Sequence, residues 1–302
     1  MSLITLILGI IVLVKSADIF VVKSSNLAKC LGINSLIIGL TVVAMGTSAP
    51  EASVSIIAAI KNNSSISIGN IVGSNICNML LVLGLSSIFS SIIVKKEILK
   101  KDYLLSIMTY IILLLIALFN NYLLLKHGIL LLIFFGLYIY IILKNVKNSK
   151  EEKTKLRVGN IIMLVLSLIG IILGGNLIVN SAIIIARKLS VSEHIIALTI
   201  VAIGTSLPEL VTSVVAAIKH ENDIALGNVI GSNIFNILFI LGISGTINNL
   251  ELTYNSLMDI IIMTIVGILI YIYMFIKRRL DKRIGIIFLL IYIGYIYYII
   301  IR

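Results

Sequence analysis

The sequence predicts an all-α integral membrane protein, ten transmembrane helices arranged as two inverted five-helix repeats. Three observations carry that prediction. The 302 residues are 60% hydrophobic and only 12% charged, with a mean hydropathy of +1.17, whereas soluble chains average about 45–50% apolar and about 25% charged. Apolar runs long enough to cross hydrocarbon, about 20 residues in a helix, recur along the whole chain. A long stretch of the first half also returns in the second without a gap.

The composition excludes several classes. Low polarity rules out a water-soluble globule and a disordered chain, and two prolines rule out a Pro-rich linker. The net charge of +11, from 24 Lys+Arg against 13 Asp+Glu, would suit a nucleic-acid binder. The basic residues, however, stand in short clusters between apolar runs, as membrane flanks do, so the expected partner is the lipid bilayer and not nucleic acid. Cys30 and Cys77 match no zinc or redox spacing. The first apolar run leads into another, so it is read as a span and not as a cleavable signal.

Taken in order, spans are expected near 2–27, 34–60, 69–92, 102–120, 124–144, 158–188, 194–218, 226–247, 255–276 and 284–301. The polar stretch KNVKNSKEEKTKLR divides them into a first repeat, 1–145, a loop, 146–157, and a second repeat, 158–302. Ile37–Ser86 aligns with Ile195–Ser244, about half the positions being identical, and the duplicated motifs extend over 37–88 and 195–246. Five spans per half is an odd number, so the second repeat enters the membrane from the opposite side, the inverted plan of many secondary transporters. Lys95, Lys96, Lys100, Lys101, the basic residues of the central loop, and Lys277, Arg278, Arg279, Lys282 and Arg283 all follow odd-numbered spans. By the positive-inside rule the chain is expected in the cell membrane with both termini outside and the central loop cytoplasmic.

The chemistry centres on the two prolines, Pro50 and Pro208, each followed by a glutamate, Glu51 and Glu209, in mid-span. Proline inside a helix lacks an N–H and clashes with the carbonyl four residues back. With Gly46-Thr47-Ser48 and Gly204-Thr205-Ser206 ahead of them, the prolines predict breaks that free carbonyls around Ala44–Thr47 and Ala202–Thr205. Such groups are tolerated at membrane depth only where they find a polar partner. A carboxylate at that depth costs at least about 2.5–3.5 kcal/mol, and two brought together repel. A divalent cation removes both problems, and Ca²⁺ favours carboxylate, carbonyl and hydroxyl oxygens. With no His or Cys beside the motifs, a soft transition-metal site is not expected.

The next spans carry Gly69-Asn70-Ile71-Val72-Gly73-Ser74-Asn75 and Gly227-Asn228-Val229-Ile230-Gly231-Ser232-Asn233, then Asn78 and Asn236. The glycine pairs read as close helix packing. Ser74 with Asn78, and Ser232 with Asn236, share helical faces that complete a cation site if packed against the glutamates. Asn70, Asn75, Asn228 and Asn233 read equally as helix caps or cross-links and stand outside the candidate set. Lys15, Asp18 and Lys23 suit snorkelling or an internal ion pair, His127, His194 and His220 solvated span ends, Met45 and Cys77 filling, and Tyr292, Tyr295, Tyr297 and Tyr298 an interfacial belt.

These motifs, GTSAPE with GNIVGSNICN and GTSLPE with GNVIGSNIFN, resemble the two alpha repeats of the sodium/calcium exchangers in the cation/calcium antiporter superfamily. The resemblance implies a prokaryotic-type antiporter working by alternating access, spans 1 and 6 sliding across a fixed core, with one Ca²⁺ and several Na⁺ sites clustered together. It makes Glu51 and Glu209 shared ligands, gives Thr47 and Thr205 to the Ca²⁺ site, Ala44 with Ser74 and Ala202 with Ser232 to flanking Na⁺ sites, Asn78 and Asn236 to the middle site, and makes Ser48 and Ser206 polar liners. Some relatives carry Asp where this chain has Asn236, so two carboxylates remain in the core and K⁺ dependence is not favoured. No enzyme activity, no cofactor beyond the transported ions, and function as a monomer are expected. The rival readings are a Ca²⁺/H⁺ exchanger and, further off, a cation channel.

Overall fold

A computed structural model describes residues 2–144, 158–188 and 202–301. The loop 146–157, His194 and the first part of the seventh expected span lie outside the described residues. Helix α1 runs Ser2–Leu31, α2 Ser35–Thr47, α3 Ala49–Ile60, α4 Ser64–Phe89, α5 Lys96–Phe119, α6 Leu125–Lys144 and α7 Val158–Lys188. In the second half α8 is Ala202–Thr205, α9 Leu207–Ile218, α10 Asn222–Ile247, α11 Tyr254–Lys277 and α12 Lys282–Ile301. Eight of these are individually long and apolar enough to span a membrane, and α2 with α3 makes a bent ninth. The segment α8–α9 occupies the described part of the tenth.

Helix ends follow local chemistry that the apolar runs do not reveal. Gly32, at φ 64°, turns the chain out of α1, and Asn34 restarts it by accepting from Leu36 N at 2.8 Å. Asn63 caps α4 through Ile66 N at 3.1 Å, so that helix begins five residues before the expected 69. The charged residues after Lys95 are helical too, which starts α5 at Lys96 and not at 102. His127 accepts from Leu124 N at 3.2 Å and serves its own helix.

Among the described residues four two-residue strands lie between helices: β1 Ile92–Ile93, β2 Tyr122–Leu123, β3 Leu250–Glu251 and β4 Arg279–Leu280. β1 pairs antiparallel with β4, and β2 with β3. β1 and β4 are separated by six expected spans and β2 and β3 by four, even numbers that agree with the members of each pair lying on one face. The Lys95–Asp223 ion pair at 2.5 Å joins the same face as β1–β4. Thr5 bonds Ser181 at 2.8 Å near one end of α1, and Lys23 bonds Asn160 at 2.9 Å towards the other. Helices α1 and α7 therefore run antiparallel, as corresponding helices of inverted repeats must.

Helices α4 and α10 form the centre, α10 almost wholly sheathed by protein, while α1, α6, α7 and α12 turn most of their surface outward. Helix association in lipid relies on close packing through small residues. A Cβ on Gly227 would fall 2.9 Å from Gly39 Cα, and one on Gly231 would fall 2.5 Å from the Leu40 carbonyl, so α2 and α10 meet backbone to backbone. The packing role expected of Gly227 and Gly231 is thus borne out. The counterpart of Gly39 in the second repeat, residue 197, lies outside the described residues. The tyrosine belt needs correction: Tyr297 and Tyr298 are exposed, but Tyr292 and Tyr295 are buried, because positions three apart on α12 share the inward face.

Candidate cation site

The two bends are confined to single residues. Ser48, at φ −79° and ψ 8°, turns α3 by 50° from α2, and Ser206 adopts φ −86° and ψ 5° between α8 and α9. Pro50 and Pro208 fall in the first turn of the new helix, where a missing N–H costs nothing. Glu51 and Glu209 follow in that same turn, at the positive end of the helix dipole. The expected set of freed carbonyls is therefore too broad. The Ala44 carbonyl keeps a helical partner, Ser48 N at 3.0 Å, and also receives the Ser232 hydroxyl at 3.4 Å. In the second half Ser206 N closes a tighter turn on Ile203 O at 3.1 Å.

The bends face each other and exchange hydrogen bonds. Ser48 donates to Glu209 Oε1 at 2.9 Å, and Ser206 donates to Glu51 Oε1 at 3.2 Å. Ser74 reaches Glu51 Oε1 at 3.5 Å from α4. Both glutamates are 1% exposed. A second layer holds them in place. Asn70 donates to the Glu51 carbonyl at 3.2 Å and to Ser55 at 2.9 Å, while Asn228 donates to the Glu209 carbonyl at 3.3 Å and to Ser213 at 2.9 Å. Each of these asparagines accepts a threonine hydroxyl from the opposite repeat, Thr47 on Asn228 at 3.0 Å and Thr205 on Asn70 at 3.4 Å. A threonine that donates its proton outward keeps its oxygen lone pairs for a cation.

Helices α4 and α10 cross at Asn75 and Asn233, whose side chains bond each other's backbone carbonyls at 3.2 and 3.4 Å. Asn78 donates to Asn233 Oδ1 and Asn236 to Asn75 Oδ1, both at 3.0 Å. Asn78 and Asn236 each open a widened, π-helical turn, a device frequent at functional sites. Among the described residues Glu51 Oε2, Glu209 Oε2, Asn78 Oδ1 and Asn236 Oδ1 are buried without a hydrogen-bond partner. All four are acceptors, and they form two pairs related by the repeat. A buried polar atom left unsatisfied costs about 1–3 kcal/mol, so this gathering of bare oxygens is chemistry suited to a cation. No cluster of three or more His, Cys, Asp or Glu occurs among the described residues, and the donors are hard oxygens.

A cavity of about 340 Å³ lies beside the two bends, lined by Pro50 and Ser53 of α3, Gly175 and Asn176 of α7, and Thr205 and Pro208.

The comparisons settle the family. The family model described as sodium/calcium exchanger protein matches residues 1–144 and 159–301, both repeats. A sodium/calcium exchanger, MaX1 of Methanosarcina acetivorans, is 32% identical, with 96% of each chain covered. An uncharacterized membrane protein of Methanocaldococcus jannaschii is 36% identical over 95% of this chain and 94% of its own length. The sodium-calcium exchanger NCX_Mj, in a structure soaked with 2.5 mM Na⁺ and 0.1 mM Ca²⁺, superposes with a TM-score of 0.87 at 35% identity, covering 98% of this chain and 97% of that one. The chain belongs to the sodium/calcium exchanger family. It is a multi-pass membrane antiporter of the prokaryotic type, built from ten helices in inverted repeats, and not an enzyme.

In this exchanger, Glu51, Glu209, Thr47, Ser48, Ser206, Ser74, Ser232, Asn78, Asn236 and the Ala44 carbonyl are buried together, and Thr205 is half-buried at the cavity. Ala202 opens α8 at the position corresponding to Ala44. Asn70 and Asn228 prove to be cross-links to the glutamate backbone, as do Asn75 and Asn233 between helices. The sequence reading missed Tyr110, which accepts from Asn233 at 2.8 Å, because it lies on α5 outside the duplicated motif.

Proposed function

We propose that this exchanger carries Ca²⁺ one way and Na⁺ the other through a single cluster of sites shared by Glu51 and Glu209. Thr47, Thr205, Ser74, Ser232, Asn78, Asn236, Ser48, Ser206 and the backbone of Ala44 and Ala202 complete the oxygen cage. The bare buried oxygens of Glu51, Glu209, Asn78 and Asn236, two per repeat, carry this reading. With both carboxylates bare, the site holds two like charges away from water, and moving it across the barrier is costly. Ca²⁺, or Na⁺ ions taking its place, neutralise the pair, so only loaded states reorient and the fluxes are coupled. Ser48 and Ser206 link each carboxylate to the opposite bend, which lets either repeat register occupancy of the whole site.

The cavity beside α7 is the open access route in this conformation. With the basic loops cytoplasmic and both termini outside, it faces the exterior, and α1 and α7 are the elements that move to close it and open its inner counterpart. One chain holds the full site, so a monomer suffices. The test is Na⁺-gradient-driven ⁴⁵Ca²⁺ uptake into proteoliposomes at clamped pH. Wild-type uptake should require the Na⁺ gradient, and Glu51→Gln should abolish it. Uptake driven equally by a pH gradient without Na⁺, or normal exchange by Glu51→Gln, would contradict the proposal.

A further inference from the structure

The two halves of the site differ in one support. Asn233 presents its amide nitrogen to two acceptors, the Asn75 carbonyl at 3.4 Å and the Tyr110 hydroxyl at 2.8 Å. A backbone carbonyl can only accept, so the amide nitrogen of Asn233 belongs at that end and its Oδ1 at the other. There it accepts from Asn78 Nδ2 at 3.0 Å, which leaves Asn78 Oδ1 as the bare oxygen. Ser106 donates to the same Tyr110 hydroxyl at 2.8 Å from the preceding turn of α5. The ring is seated against Gly267 of α11, where a Cβ would fall 2.6 Å from Tyr110 Cε2.

The other half lacks this brace. Offset by the repeat, Tyr110 corresponds to Ile268 and Ser106 to Thr264, whose hydroxyl turns back to the Ile260 carbonyl at 2.7 Å. Asn75, which holds Asn236, has its amide nitrogen on the Asn233 carbonyl, without a phenol behind it. We propose that Tyr110 is a positioning residue for ion selectivity: through Asn233 it keeps the oxygen of Asn78, not its NH₂, turned to the cations. This rests on the proposed site. If Asn78 turned over, the positive end of its amide would face the proposed cluster in place of an oxygen, and a dication held between the glutamates would be repelled more than a monocation.

The experiment uses the full-length exchanger in proteoliposomes and compares Tyr110→Phe with Tyr103→Phe. Tyr103 is buried on the same helix and donates to the Gly267 carbonyl at 3.3 Å, so its variant reports a purely structural loss. Tyr110→Phe should raise the Ca²⁺ concentration for half-maximal Na⁺-driven uptake by about three- to tenfold. Its maximal rate and the Na⁺ concentration that half-inhibits uptake should change less than about twofold, and Tyr103→Phe should leave all three in place. If Tyr110→Phe is not recovered folded, Ser106→Ala, which removes the second donor on the hydroxyl, should give a smaller shift in the same direction. An unchanged Ca²⁺ dependence, an equal shift in Tyr103→Phe, or a loss of rate alone would overturn the proposal. Absence of Na⁺-driven uptake by the wild-type chain would overturn the exchange reading beneath it.

Discussion

The two repeats share a motif, yet α1 and α7 meet the core differently. On the β1–β4 face, α1 is tied to the end of α9 and its following turn: Asp18 pairs with Lys219 at 2.8 Å, and Ser25 donates to Glu221 at 2.7 Å. Ala17 and Val21, beside Asp18, are fully buried. On the opposite face, the corresponding residues of α7, Gly175, Asn176 and Val179, line the cavity along α3. The corresponding side-chain pairs are Asn176 with Lys61 and Ile183 with Asn63, which cannot form an ion pair or the same hydrogen bond. On the proposed reading the two repeats offer access routes equivalent in plan, and the ties of α1 to Lys219 and Glu221, which the corresponding residues of the other half cannot form, favour the route beside α7.

The carboxylates should show the least difference between the halves. Glu51→Gln and Glu209→Gln are each expected to reduce Na⁺-driven ⁴⁵Ca²⁺ uptake by at least about a hundredfold, because either change leaves one carboxylate to balance a dication. Retention of exchange by one variant alone would break the equivalence. The tie on α1 should matter less, since half-exposed ion pairs contribute about 0–1 kcal/mol. With Cys30 and Cys77 replaced, a cysteine in place of Val211, the counterpart of the cavity-lining Ser53, should be labelled by a thiol reagent up to about fivefold faster when Asp18→Asn is added. Unchanged labelling would mean that this pair does not hold the route closed. Smallest of all, Pro50→Ala and Pro208→Ala should each change uptake by less than about threefold. Proline in a first helical turn stabilises a bend that Ser48 and Ser206 already make. A collapse of transport in either variant would return the bend to the proline.

What was legible in the sequence was mostly what is written twice. Glu51 with Glu209, Asn78 with Asn236, and Ser74 with Ser232 announce themselves by recurring at one offset, and close packing at Gly227 and Gly231 followed from small-residue spacing. The reciprocal bonds of Ser48 and Ser206 to the opposite glutamates were not legible, because an alignment of repeats shows correspondence and not which side chains meet across the axis. Tyr110 has no counterpart, and a single tyrosine in an apolar span looks like any packing aromatic. The partner of the Ala44 carbonyl was misjudged because proline was read as interrupting a helix when it starts a new one. Tyr292 and Tyr295 were misplaced since composition near a chain end does not distinguish an inward from an outward face.

The central claim is that Glu51 and Glu209 share one divalent cation. The direct measurement is a crystal structure of the exchanger in lipid with Ca²⁺ and without Na⁺, with the ion located by its anomalous signal. The account predicts one strong peak bound by carboxylate oxygens of both residues at about 2.3–2.6 Å. A peak bound by one glutamate alone, or Ca²⁺ held elsewhere while the two carboxylates stay bonded only to Ser48 and Ser206, would contradict it.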